Sequence, residues 1–199
     1  MKRGLAGTVL LSATLLTGAR APADPETYQI DRSHTNIGFV VRHMVVTNVR
    51  GAFNDFSGSI VLDESDITKS RVEVVVKTAS VDTNHERRDA DLRGPDFFDA
   101  ERFPELRFTS RRIERTPDGL VAVGDLTIRD VTKEVRIPFE MAGPINAGQG
   151  VKRLGIEGAF RINRQEYGLR WDRMVEAGPV VADEVRIELA VEAISRPAR

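Results

Sequence analysis

The chain has no cysteine. That excludes a disulfide framework and a lipid-modified cysteine, so the fold must stand on its hydrophobic core alone. Neither sign of charge dominates, with 29 Lys and Arg against 30 Asp and Glu. No Pro-, Gly- or Ser-rich linker, internal repeat or low-complexity tract divides the sequence. The one long apolar stretch, Leu5 to Leu16, is shorter than the roughly 20 residues that a membrane-crossing helix needs. Aromatics make up only 6% of the chain, which makes the places where they gather informative.

Lys2 and Arg3 precede that apolar stretch, and the small residues Gly18, Ala19, Ala21 and Ala23 follow it. This is the pattern of a secretory signal peptide spanning 1–23. Cutting after Ala21 would leave Pro22 first, so cleavage after Ala23, releasing Asp24, is expected. Removing 1–23 takes Lys2, Arg3 and Arg20 and no acid, leaving 26 basic against 30 acidic side chains and a formal charge of −4. That balance argues against nucleic acid as a partner. The expectation is one soluble domain over 24–199 in the exported compartment, naturally a bacterial periplasm.

Within that domain the dominant period is two. Ile37, Phe39, Val41 and His43 alternate with Asn36, Gly38, Val40 and Arg42, and the run from Arg71 to Lys77 repeats the pattern. Further strand-like stretches cover Asn48 to Phe56, Gly58 to Leu62, Leu106 to Ile113, Leu120 to Ile128, Glu134 to Met141, Leu154 to Ile162 and Val185 to Ile194. Turn signals at Asn54-Asp55, Pro117-Asp118-Gly119 and Gly143-Pro144 separate many of them. The reading is all-β, with about eight antiparallel strands closing into an up-and-down barrel that leaves no exposed edge. A barrel of that size is either filled by side chains or holds one small ligand.

One insert breaks the run of strands. Ser80 to Ser110 turns through Asp82-Thr83-Asn84, passes a short helix-capable stretch from Glu86 to Leu92, and presents Phe97, Phe98 and Phe103. It reads as a lid or plug. Arg87, Arg88, Asn84 and Thr83 are the polar groups there that suit a head group at a barrel mouth. The competing reading pairs Arg88 with Asp89 and Asp91, and Arg87 with Glu86, as local surface charges.

The sequence resembles the YceI-like periplasmic lipid-binding family. The resemblance rests on Tyr28-Gln29-Ile30-Asp31, His34, Ile37 to His43, Gly51-Ala52-Phe53 and Phe56-Ser57-Gly58. It continues through Ser80-Val81-Asp82-Thr83, Arg88-Asp89, Leu92, Asp96 to Ala100, Phe103-Pro104, Phe108-Thr109-Ser110, Gly124 to Ile128 and Val131-Thr132-Lys133, over about residues 27 to 194. It implies an extended, lipocalin-like barrel, hollow, binding a polyisoprenoid, an isoprenoid quinone or another long-chain amphiphilic lipid, with no catalysis and no cofactor. A homodimer and transient membrane contact are reasonable expectations on the same ground. Arg129-Asp130 departs from the pattern, where glycine is frequent ahead of the Val-Thr-Lys match, and is expected to alter a turn without touching the cavity.

Pattern alone favours an ordinary filled core; the resemblance turns the expectation toward a lined cavity. The expected lining is Phe39, Val41, His43, Phe53, Leu92, Phe97, Phe98, Phe103, Phe108 and Leu126, with Arg88 at the mouth. Tyr167 and Trp171, near the last strand, read as a plug at a barrel end. Two other classes stay open. A hydrolase or other lipid-modifying enzyme on the same barrel would draw on Ser33, His34 and His43, although no nucleophile elbow or metal signature surrounds them. A ligand-free stress or interaction protein would have a solid barrel.

Overall fold

The computed structural model describes residues 24–175 and 178–197; the expected signal peptide lies outside the described residues. The strands are β1 (Glu26–Ile30), β2 (Asn36–His43), β3 (Thr47–Phe53), β4 (Phe56–Leu62), β5 (Arg71–Lys77), β6 (Val81–Asp82), β7 (Glu105–Thr116), β8 (Gly119–Ile128), β9 (Val131–Asn146), β10 (Lys152–Asn163), β11 (Met174–Val175), β12 (Gly178–Pro179) and β13 (Val181–Ser195). One helix, α1 (Glu86–Arg93), lies between β6 and β7. No helix among the described residues is long and apolar enough to cross a membrane.

The barrel is an antiparallel ring of eight strands, β1-β4-β5-β7-β8-β9-β10-β13, closed by β13 returning to β1. The long strand β13 has more edge than the five residues of β1 can cover. β2 takes up the rest, pairing Val41 with Val185 and Ile37 with Leu189, and carries β3 and β6 outboard of it. Between β1 and β2 the chain makes one 3₁₀ turn, Arg32–His34, capped by the Asp31 side chain accepting from the Ser33 amide. Shared partners on β13 thus turn β1 and β2 into one interrupted strand.

The turn expected at Gly143-Pro144 is instead an irregularity inside β9. Arg153 pairs with Ile145 and Gly155 with Ala142, so the register shifts there, and the chain reverses later. Glycine at φ +94° and a proline without an N–H both suit a bulge, where the ladder is locally broken. Sequence punctuation alone does not separate a bulge from a reversal.

Period-two alternation sends one face of each strand inward, and two hydrophobic clusters result. The first packs Tyr28, Ile60, Leu62, Ile67, Ile113, Leu154 and Ala193 at one end of the barrel. Tyr28 is fully buried, its hydroxyl donates to Glu26 at 3.3 Å, and burial pushes its pKa up to about 12. Outside it Lys152 bonds Glu26, and Glu64 lies 3.6 Å from the same ammonium. The second cluster packs Phe39, Phe53, Phe56, Val81, Leu106, Tyr167 and Leu169 under the insert.

Candidate functional site

A cavity of about 230 Å³ runs inside the barrel through both clusters. Side chains from ten strands and from α1 share its wall, from Ile60, Val72 and Ile137 in the first cluster to Leu92, Phe98 and Leu169 in the second. That volume is below the roughly 300–1,000 Å³ of ordinary ligand pockets. So many contributors around so little space describe a narrow tube, suited to a slender apolar chain. Its wall is apolar except at Gly38 and two arginines, Arg107 and Arg164.

The expected lining residues divide cleanly. Phe39, Val41, Phe53, Leu92, Phe97, Phe98, Phe108 and Leu126 all line the cavity. His43, Phe103 and Arg88 do not. His43 keeps the inward parity of Phe39 and Val41, since the β2–β3 register runs unbroken to His43 and its partner Val181 lines the cavity, but it is the last residue of β2 and stands past Val41, the last β2 residue that the cavity touches. Phe103 lies beneath two guanidinium groups, with Arg102 5.0 Å and Arg129 5.2 Å from its ring centroid, and braces the insert instead.

Arg88 and Thr83, two of the four mouth candidates, are spent on holding the insert. α1 has one large apolar side chain, Leu92, so hydrophobic burial alone cannot fix it. Asp89 is buried and accepts from the Thr83 amide at 2.9 Å and from its hydroxyl. Burial alone would raise its pKa, yet these hydrogen bonds carry it below the usual carboxylate range. Arg88 in turn gives Nε to Thr83 Oγ1 at 2.7 Å and Nη2 to Thr83 O at 2.8 Å. Arg93 reaches the carbonyls of Ala79 and Val81. Hydrogen bonds to charged groups contribute about 1.5–3 kcal/mol each, enough to pin a two-turn helix. Asn84 and Arg87 are exposed.

At the same end a second segment closes over the cavity. Leu169 lines it, and Trp171 stacks on Phe97 with ring centroids 5.5 Å apart. Phe98 meets Phe53 edge-on at 5.6 Å, and Phe53 meets Phe39 at 5.8 Å. The Phe39 ring lies over the bare backbone of Gly51, where a Cβ would fall 2.4 Å from it. Two arginines hold this closure: Arg129, expected from the sequence only to alter a turn, and Arg164, given no site role there. Arg129 donates to the carbonyls of both Phe97 and Gly168, tying the insert to the second segment. It sits at φ +56° in the β8–β9 turn, which explains why glycine suits that position, and it does act on the cavity, through Phe97.

Arg164 is 4% exposed, and its five N–H donors are all used. Nε bonds Ala182 O, Nη1 bonds Leu169 O and Trp171 O, and Nη2 bonds Val181 O and Asp183 Oδ1. Arg107 is engaged with Glu105. The Arg107 side chain is exposed to solvent rather than buried in the cavity, and Arg164 has no donor in reserve for a buried head group. Its neighbour Tyr167 is 2% exposed, and burial pushes its pKa up to about 12. The polarity of this end is structural.

The Ser33–His34 pair lies elsewhere. His34 Nδ1 is 2.9 Å from Asp31 Oδ2 and 3.9 Å from Glu192 Oε1, three groups close enough to share a cation. Arg153 already bonds Glu192 and lies 3.8 Å from Asp31, so a guanidinium supplies positive charge there. None of these residues lines the cavity.

Comparison with known proteins agrees with this geometry. The YceI-like domain matches residues 28–193. Protein YceI of Escherichia coli O17:K52:H18 is 32% identical over 198 residues, covering 98% of this chain and 100% of that protein. Among solved structures, BcnA of Burkholderia cenocepacia superposes with a TM-score of 0.71 at 22% identity, covering 82% of this chain and 98% of that one. A domain from Saccharophagus degradans, described as polyisoprenoid-binding and implicated in plant cell wall breakdown, superposes at 0.62 with 14% identity, over 85% of this chain and 98% of that one.

Proposed function

The chain belongs to the YceI-like family, and from that premise we propose that it is an exported, periplasmic carrier that holds one long isoprenoid-type lipid in its barrel without transforming it. The observation that carries the reading is the narrow apolar tube through both hydrophobic clusters. The polyisoprenoid-binding description of the Saccharophagus domain, which shares the fold, supports the ligand class. Each methylene taken out of water contributes roughly 0.8 kcal/mol. Tens of carbons would nominally exceed the roughly 18–21 kcal/mol at which non-covalent affinity saturates, so chain ordering offsets much of the gain. A preformed narrow tube reduces that cost.

Because Arg164 and Arg88 are already engaged and the Arg107 side chain is exposed to solvent, the tube reads chain length and leaves the head group at the mouth. Titrating delipidated protein with prenols of increasing length, followed by fluorescence of Trp171, the only tryptophan, tests this. Affinity should rise with length and then level off. A prenyl phosphate of equal length should bind within about tenfold of the free prenol, which is 1.4 kcal/mol. Strong discrimination by head group with no dependence on length would contradict the reading.

A further inference from the structure

Large apolar side chains are exposed at five places among the described residues, and four of them, Met44, Val45, Val46 and Met174, lie in two touching hairpins. Met44 N–H donates to Val180 O at 2.8 Å across them, and Val45 Cγ2 lies 3.4 Å from where a Cβ on Gly178 would stand. Val46 is the most exposed of the group at 77%, followed by Met174 at 64%. The β11–β12 hairpin is a separate two-stranded ribbon, not part of the barrel sheet.

The β2–β3 turn breaks a second local rule. Met44 and Val45 have φ values of +49° and +61°, with Val46 N–H closing on His43 O at 3.2 Å. A turn with two left-handed residues favours Asn-Gly, and a β-branched valine there is strained. The chain therefore spends both solubility and backbone comfort to present an apolar tip. Departures of this kind from locally consistent sequence concentrate at functional sites.

The tip stands where a lipid must pass. Val41, one turn of alternation before His43, and Val181, directly after the second hairpin, both line the cavity. Arg42 holds the Val45 carbonyl at 2.9 Å, and exposed Arg170 and Arg173 both precede Met174 on the chain, with exposed Asp172 between them. The acids at the base of β13 are occupied, Asp183 by Arg164 and Glu184 by Arg161.

We infer that Met44, Val45, Val46 and Met174 form a docking tip that inserts into an anionic lipid bilayer and holds the cavity mouth against it for transfer of the ligand. Apolar side chains entering the interface beside arginines are the chemistry of reversible membrane attachment. The inference rests on the cavity taking a lipid, and its test separates the two.

The chain from Asp24 onward, which contains every described element, is floated with vesicles of phosphatidylcholine and phosphatidylglycerol. It should partition with the vesicles, and Val46→Asp combined with Met174→Asp should lower that partitioning at least about tenfold. Ile145→Asp, at the remaining exposed apolar position, should leave it unchanged. Leu126→Trp, which fills the cavity, should still float, so that a failed lipid reading and a failed docking tip give different results. Equal partitioning of the double variant, equal loss in Ile145→Asp, or loss in Leu126→Trp would overturn the inference. So would a tip-dependent change from dimer to monomer in sedimentation without vesicle binding, which would assign the tip to a second copy of the chain.

Discussion

Arg164→Ala should lower stability by about 3–5 kcal/mol, in the range for removing one partner from a buried charged network. For a chain of this size that corresponds to a drop in Tm of roughly 10 °C. Asp183 is largely solvated, with its side chain 46% exposed, so the loss comes mainly from the four carbonyls that Arg164 serves. Leu169 O and Trp171 O belong to the segment that closes the cavity, while Val181 O and Ala182 O belong to β13. Removing the guanidinium detaches one from the other. Lysine should not rescue, because three donors on a flexible stem cannot replace a planar fork of five. Thermal unfolding followed by circular dichroism measures the effect, and a Tm within about 2 °C of the parent chain would show that the network is dispensable.

Phe97→Asp combined with Phe98→Asp should reduce lipid retention at least tenfold while the barrel still folds. Both rings are half-buried at the cavity end, one stacked on Trp171 and the other edge-on to Phe53. Two carboxylates in their place would have to be desolvated beside any bound chain, and a charge in such surroundings is costly unless paired. The ring ladders of β7 to β10 do not involve these residues, so the strand content should persist. Extracting bound lipid from the parent and the double variant under identical mild conditions makes the comparison. Unchanged retention in a folded variant would remove both phenylalanines from the site.

Most of the barrel was legible because its strands obey a two-residue period, and their inward faces follow from that period alone. Phe39 with Val41, and Phe108 with Leu126, show how far it reaches: each pair shares an inward face and each lines the cavity. It fell short where the outcome depends on more than one strand. His43 keeps the inward parity but lies past the end of the cavity, whose extent a single strand does not carry, and Gly143-Pro144 is a bulge instead of a turn because the β9–β10 register shifts there. Polar roles were the least legible. Arg88, Arg129 and Arg164 lie far in sequence from much of what they hold, or share their neighbourhood with acids that suggest simpler pairing. Arg129 donates across 32 and 39 residues, a reach that no local motif announces. The left-handed conformation of Arg129 did leave a trace, as the departure from glycine before Val131.

Mass spectrometry of the organic extract of the protein, purified under mild conditions from its native envelope fraction, tests the central claim most directly. A lipid with one long apolar chain, present at about one per protein molecule, is the predicted result, and it would identify the head group at once. A clean extract from folded protein would contradict the carrier reading and leave the barrel without a cargo.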